Sequence, residues 1–130
     1  MCLELSEGNT ANGTPLIMSK CDNSKKQKWQ MDGDGLIRSA LDTNKCIDLS
    51  AGNKSNGGKI QIWKCYDGHK NQMWKYKDGL LWLEDTVNDG LDTDMVIDWG
   101  GQNKVHLWTY HGGTNQRWLV VSVIFTCDKL

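Results

Sequence analysis

At 130 residues the chain can bury one hydrophobic core and is too short for two ordinary domains, so a single domain over residues 1–130 is expected. Its 15 basic and 16 acidic residues leave a net charge of −1 and are spread along the sequence, which argues against nucleic acid or an anionic membrane surface as partner. No run reaches the ~20 apolar residues of a membrane span, and Met1-Cys2-Leu3-Glu4 has neither the basic start nor the apolar stretch of a signal peptide.

In chain order, the segments are short, apolar-alternating and bounded by turns. Cys2-Leu3-Glu4 opens the series. Trp29-Gln30-Met31 is joined to Leu36-Ile37-Arg38 through Asp32-Gly33-Asp34-Gly35. Cys46-Ile47-Asp48 and Ile60-Gln61-Ile62-Trp63 follow, and Trp74-Lys75-Tyr76 then turns at Asp78-Gly79 into Leu80-Leu81-Trp82, because Asp-Gly tolerates the positive φ angles of tight hairpins. Val96-Ile97-Asp98 and Val105-His106-Leu107-Trp108 repeat the earlier pair. The apolar run Leu119 to Phe125, interrupted by Ser122, reads as a buried strand. With 14 glycines, one proline and no sustained helical periodicity, the domain is all-β.

Gln27-Lys28-Trp29, Gln72-Met73-Trp74 and Gln116-Arg117-Trp118 place Gln-x-Trp at intervals of 45 and 44 residues, which divides the chain into units of about 1–40, 41–83 and 84–130. A propeller needs at least about four blades, so three units do not close one. Three copies of a four-stranded unit, none able to bury its apolar face alone, close around a pseudo-threefold axis as a β-trefoil. Trp29, Trp74 and Trp118 are then equivalent wedges in the common core, with each motif glutamine fixing local backbone. The first unit starts at its Cys-x-Glu segment and lacks the strand that the others have at Gly35 to Ser39 and Gly79 to Leu83; Val120 to Phe125 is expected to fill that gap.

Cys2 and Cys21 share the separation of Cys46 and Cys65, which reads as one disulfide used twice, with Cys127 outside both pairs. Such bridges stabilise by about 3 kcal/mol each and imply an oxidising, extracellular setting. The alternative is reduced, buried thiols in a cytosolic protein.

Cys-x-Asp, Gln-x-Trp-x-Cys and Asn-Gln-x-Trp in the second unit, in register with the other two Gln-x-Trp motifs, resemble the ricin B-chain lectin family of β-trefoil carbohydrate-binding modules. The likeness runs from Cys2 to Trp118. It implies that Asp48 accepts hydrogen bonds from two sugar hydroxyls, Trp63 underlies the apolar ring face, Asn71 bonds the same hydroxyls, Gln61 flanks them and Gln72 orients the aspartate. The third unit offers Asp98, Trp108, Asn115 and Gln116, with His106 in the place of Gln61. A galactose-like ring presents one face of C–H bonds to an indole and adjacent hydroxyls to a carboxylate, which suits these residue types. The first unit departs at each ligand position, with Glu4, Ile17, Ser19 and Lys26, and is expected to bind no sugar because it lacks a platform and Lys26 accepts no hydrogen bond.

The resemblance thus implies a lectin for galactose or N-acetylgalactosamine glycans, with sites in units two and three, needing no cofactor or metal and inserting in no membrane. Glu84-Asp85 and the carboxylates from Asp92 to Asp98 sit in turn-rich sequence, where acidic residues are solvated rather than catalytic. His69, His106 and His111 have no metal-ligand spacing. The alternative reading is a glycan-targeting module of a longer toxin or glycoside hydrolase; a trefoil protease inhibitor has no reason to keep these polar and aromatic sets together.

Overall fold

The computed structural model describes residues 1–87, 94–121 and 123–127. Twelve short strands are joined by turns: β1 Cys2–Leu5, β2 Leu16–Ser19, β3 Trp29–Met31, β4 Ile37–Ser39, β5 Lys45–Leu49, β6 Gly58–Lys64, β7 Trp74–Lys77, β8 Leu80–Leu83, β9 Met95–Trp99, β10 Val105–Thr109, β11 Leu119–Val121 and β12 Ile124–Thr126. Single 3-10 turns punctuate them, and the described residues contain no α-helix. At the turn between β7 and β8, Asp78 and Gly79 adopt φ of 56° and 78°, the pair of left-handed conformations that a two-residue hairpin needs.

Antiparallel pairing builds three equivalent meanders, β3-β4-β5-β6, β7-β8-β9-β10 and β11-β12-β1-β2. The β6–β10 pairing joins the first two, and bridges Pro15↔Gln61, Ile17↔Lys104 and Lys28↔Ile124 bring the third against them. This is a β-trefoil. Each sheet straddles a boundary of the sequence repeat, because the hairpin at each motif tryptophan closes one repeat and pairs with the opening strand of the next.

Alternation decides what is inside. Leu3 and Leu5, Ile47 and Leu49, and Ile97 and Trp99 point inward from β1, β5 and β9, meeting Leu16, Met18, Ile60, Ile62, Val105 and Leu107 from the paired strands. Trp29, Trp74 and Trp118 close the same cluster, and their indole N–H groups donate to the carbonyls of Leu3, Ile47 and Ile97 at 3.0–3.1 Å. Each buried indole thereby satisfies its polar atom while filling the core. Both cysteine pairs are disulfides, each with Cα atoms 5.1 Å apart. Cys127 is buried, its thiol 3.6 Å from the Thr114 carbonyl.

One expectation needs correction. The apolar run after Trp118 is not one buried strand but the hairpin β11–β12, with Leu119 61 % exposed and Phe125 fully buried. The second arm buries Phe125, while on the edge strand β11 only Val120, opposite Phe125, packs against the core. The missing strand of the first unit is supplied by β12, which pairs with β1 at Cys2↔Thr126. Ser122 of that run lies outside the described residues.

Candidate functional site

On the outer face of unit two, the β5–β6 register sets Asp48 opposite Gln61 and Cys46 opposite Trp63, so these side chains leave the sheet on the same side. The Asp48 carboxylate is buried yet accepts from Gln61 Nε2 at one oxygen and from Gln72 Nε2 at the other, both at 3.0 Å. The other Gln72 contacts explain its rigidity: Nε2 also donates to the Lys64 carbonyl at 2.8 Å, and Oε1 accepts from the Tyr66 N–H at 2.8 Å. Two donors leave a carboxylate with further lone pairs, so Asp48 can still accept from outside. Trp63, 37 % exposed, flanks it. Asn71 stands on the same 3-10 turn as Gln72 and lies against Gly52, where a Cβ would meet its Oδ1 at 3.1 Å.

Unit three repeats the arrangement with different chemistry. Asp98 Oδ1 accepts from His106 Nε2 at 2.8 Å, while Oδ2 accepts from Gln116 Nε2 at 2.9 Å and Asn115 Nδ2 at 3.0 Å. Because the carboxylate only accepts, the His106 proton is assigned to Nε2. Its ring rests on Gly100, where any Cβ would collide at 2.7 Å, and stands 5.0 Å from the half-buried Trp108 ring. Gln116 again bridges backbone, from the Thr109 carbonyl to the His111 N–H. The connection from Asp98 to Trp108, shorter in sequence, is a tight turn closed by Gly100 N–H to the Lys104 carbonyl and Lys104 N–H to the Gly101 carbonyl.

Unit one keeps the scaffold without the platform. Gln27 donates to Glu4 at 2.9 Å and to the Lys20 carbonyl, and Lys26 Nζ stands 3.9 Å from the same carboxylate. Ile17 and Ser19 occupy the positions of Gln61 and Trp63 opposite β1. Among the carboxylates set aside in sequence, Glu84 is exposed, Asp85 is paired with Lys54 and Lys70, and Asp92 lies outside the described residues. Among the described residues, no group of three or more His, Cys, Asp or Glu is arranged to hold a metal ion.

The sequence reading missed a contribution from the neighbouring unit. Asn12 Oδ1 accepts from the Lys64 N–H at 2.9 Å, and Gly13 packs beside Gln61 and Trp63. Asn56 Oδ1 likewise accepts from the Thr109 N–H at 2.7 Å, with the Gly57 N–H on the Leu107 carbonyl. Each Asn-Gly loop clamps the end of the platform strand of the next unit. Their shared spacing, in step with the Gln-x-Trp repeat, is the signal that would have found them. His111, 3.6 Å from Asp98, was also missed, because Tyr66 and Asp22 stand at its place in the other two units and the position carries no recurring residue type.

The ricin-type beta-trefoil lectin domain model matches residues 1–118. The chain belongs to the ricin-type β-trefoil lectin family. It is therefore a carbohydrate-binding lectin domain by family. No curated protein sequence matches it. Among solved structures, the C-half of an earthworm R-type lectin in complex with GalNAc is 23% identical, with 95% of this chain and 88% of that chain covered at a TM-score of 0.63. The β-trefoil lectin of the Vibrio vulnificus hemolysin/cytolysin, bound to N-acetyl-D-lactosamine, is 16% identical over 98% of this chain and 86% of that chain, with a TM-score of 0.73. ThreeFoil, a designed protein of threefold symmetry, is 22% identical over 95% and 89% at a TM-score of 0.71. At these identities the likeness speaks for the fold of the lectin domain alone.

Proposed function

We propose that this lectin binds galactose or N-acetylgalactosamine glycans through units two and three, has no binding site in unit one, and carries no catalytic activity or cofactor. The observation that supports this most is the repeated outward set of a buried carboxylate held by a motif glutamine, an adjacent asparagine and a flanking indole: Asp48, Gln72, Asn71 and Trp63, then Asp98, Gln116, Asn115 and Trp108. The fixed carboxylate accepts from neighbouring hydroxyls while the indole takes the C–H face of the ring. Gln61 and His106 each occupy one aspartate oxygen and narrow the direction from which a hydroxyl approaches. Hydrogen bonds to a charged partner add about 1.5–3 kcal/mol, enough to select hydroxyl stereochemistry but not to bind tightly at a wet surface. Two disulfides agree with an extracellular setting.

A second reading is a glycan-targeting module of a longer toxin or glycoside hydrolase. It is favoured by the Vibrio trefoil, which is the lectin of a hemolysin/cytolysin. Sugar recognition is the same in both readings.

Calorimetry with galactose, N-acetylgalactosamine, lactose and mannose tests the proposal. The expected result is two weak sites per chain for the galactose series, one after Trp63→Ala or Asp48→Ala, and none after Trp63→Ala with Trp108→Ala. Unchanged stoichiometry in the double variant, with a native circular dichroism spectrum, overturns the assignment.

A further inference from the structure

The outward face of unit three carries aromatic surface beyond the residues assigned above. Strand register sets Trp82 on β8 opposite Val96 on β9, and Val96 opposite Trp108 on β10, so all three leave the sheet on the side of Asp98 and His106. Tyr110 follows two residues after Trp108, with its N–H on the Asp94 carbonyl at 2.9 Å. Its ring meets that of Trp82 at 5.2 Å and a 58° tilt. Val96 is fully buried beneath, whereas Trp82 is half-buried and Tyr110 is 39 % exposed. The side chains His106, Trp108, Tyr110 and Trp82 thus form a floor that runs away from the Asp98 carboxylate.

Unit two has no such extension. There Arg38 stands opposite Cys46, Cys46 opposite Trp63, and Cys65 closes the disulfide. The Arg38 guanidinium is held by Asp34 at 2.8 Å and Asp32 at 3.5 Å, so charge and sulfur occupy what is aromatic surface in unit three. The Trp82–Tyr110 contact does replace the disulfide as a tie on the loop after β10. A tie alone does not require both rings to retain solvent-facing surface in line with a saccharide platform.

We propose that Trp82 and Tyr110 form a second saccharide subsite, so that unit three takes a disaccharide or longer glycan while unit two takes a single ring. This rests on the lectin reading above, with the first sugar over Trp108 against Asp98. Two residues along a strand span about 7 Å, which sets Tyr110 one sugar ring farther on than Trp108. The next ring then lays its C–H face on the indole of Trp82 and offers hydroxyls to the Tyr110 phenol, which both donates and accepts.

The test uses the full chain carrying Trp63→Ala, which silences unit two, titrated calorimetrically with galactose, lactose and N-acetyllactosamine. The expected parent binds the disaccharides about three- to tenfold more tightly than galactose, the range of one aromatic contact. Trp82→Arg, which installs the residue of unit two, and Tyr110→Ala should each erase that preference and leave galactose affinity within twofold. Trp82→Phe, which keeps a ring against Tyr110, should retain both the preference and the melting temperature. A parent that binds galactose and the disaccharides equally overturns the subsite alone. A parent that binds no sugar overturns the underlying assignment of unit three as well. Equal losses for galactose and disaccharide in Trp82→Arg, or a preference that survives both variants, also overturn the subsite.

Discussion

Each motif glutamine uses both ends of its side-chain amide. Gln27, Gln72 and Gln116 are fully buried, and each donates to a carboxylate and a backbone carbonyl while accepting from a backbone N–H. Replacing one by alanine leaves several buried groups without partners at about 1–3 kcal/mol each. Gln27→Ala and Gln72→Ala should therefore each lower stability by about 3 kcal/mol in urea titrations. Only Gln72→Ala should also weaken sugar binding, because its carboxylate partner Asp48 lies beside Trp63, whereas Glu4 faces Ile17. Loss of binding in Gln27→Ala would contradict a silent first unit. These glutamines were legible in sequence because they recur with their tryptophans. Asn12 and Asn56 were not, since an Asn-Gly pair reads as a turn and nothing local says that its side chain caps a strand of another unit.

The elements differ in how each unit secures the loop that follows its platform strand. Cys65 lies between Lys64 and Tyr66, whose carbonyl and N–H both bond Gln72, so the Cys46–Cys65 bridge, the glutamine and Asp48 form one connected support. Closing a loop of this size is worth about 3 kcal/mol by the chain-entropy argument. Replacing both cysteines with serine should lower the melting temperature by about 10 °C and weaken unit two, while unit three, tied by Trp82 and Tyr110, keeps its affinity. Equal weakening of both sites would show that the bridge acts on global stability rather than on the unit-two loop. The equal cysteine spacings made this bridge readable. The β11–β12 hairpin was not readable, because Leu119 and Val121 are apolar yet exposed on an edge strand, and a continuous apolar run does not reveal where it folds back.

At the scale of the whole molecule, the first and last strands of the described chain complete the barrel together. β12 pairs with β1, the Cys127 N–H bonds the Met1 carbonyl at 3.1 Å, the Trp29 N–H bonds the Val123 carbonyl at 2.8 Å, and Phe125 is fully buried in the common core. The family match ends at Trp118, before any of these contacts. Threefold closure nonetheless requires them, since units two and three each place a hairpin arm beside their opening strand, as Arg38↔Cys46 and Trp82↔Val96 show. Removing residues 119–130 leaves β1 paired with β2 alone and takes the Phe125 ring out of the core, a loss of about 3–5 kcal/mol for that ring alone. Marginal domains hold only about 5–15 kcal/mol in total. The shortened chain should therefore lose its cooperative thermal transition and both sugar sites at once, although the assigned site residues all stand on other elements. Leu119→Ser and Val121→Ser change exposed side chains of the same hairpin and should leave stability within about 0.5 kcal/mol. A truncated chain that melts at the parent temperature would mean that the three units close without the β11–β12 hairpin, and that the β12–β1 pairing is incidental to the fold.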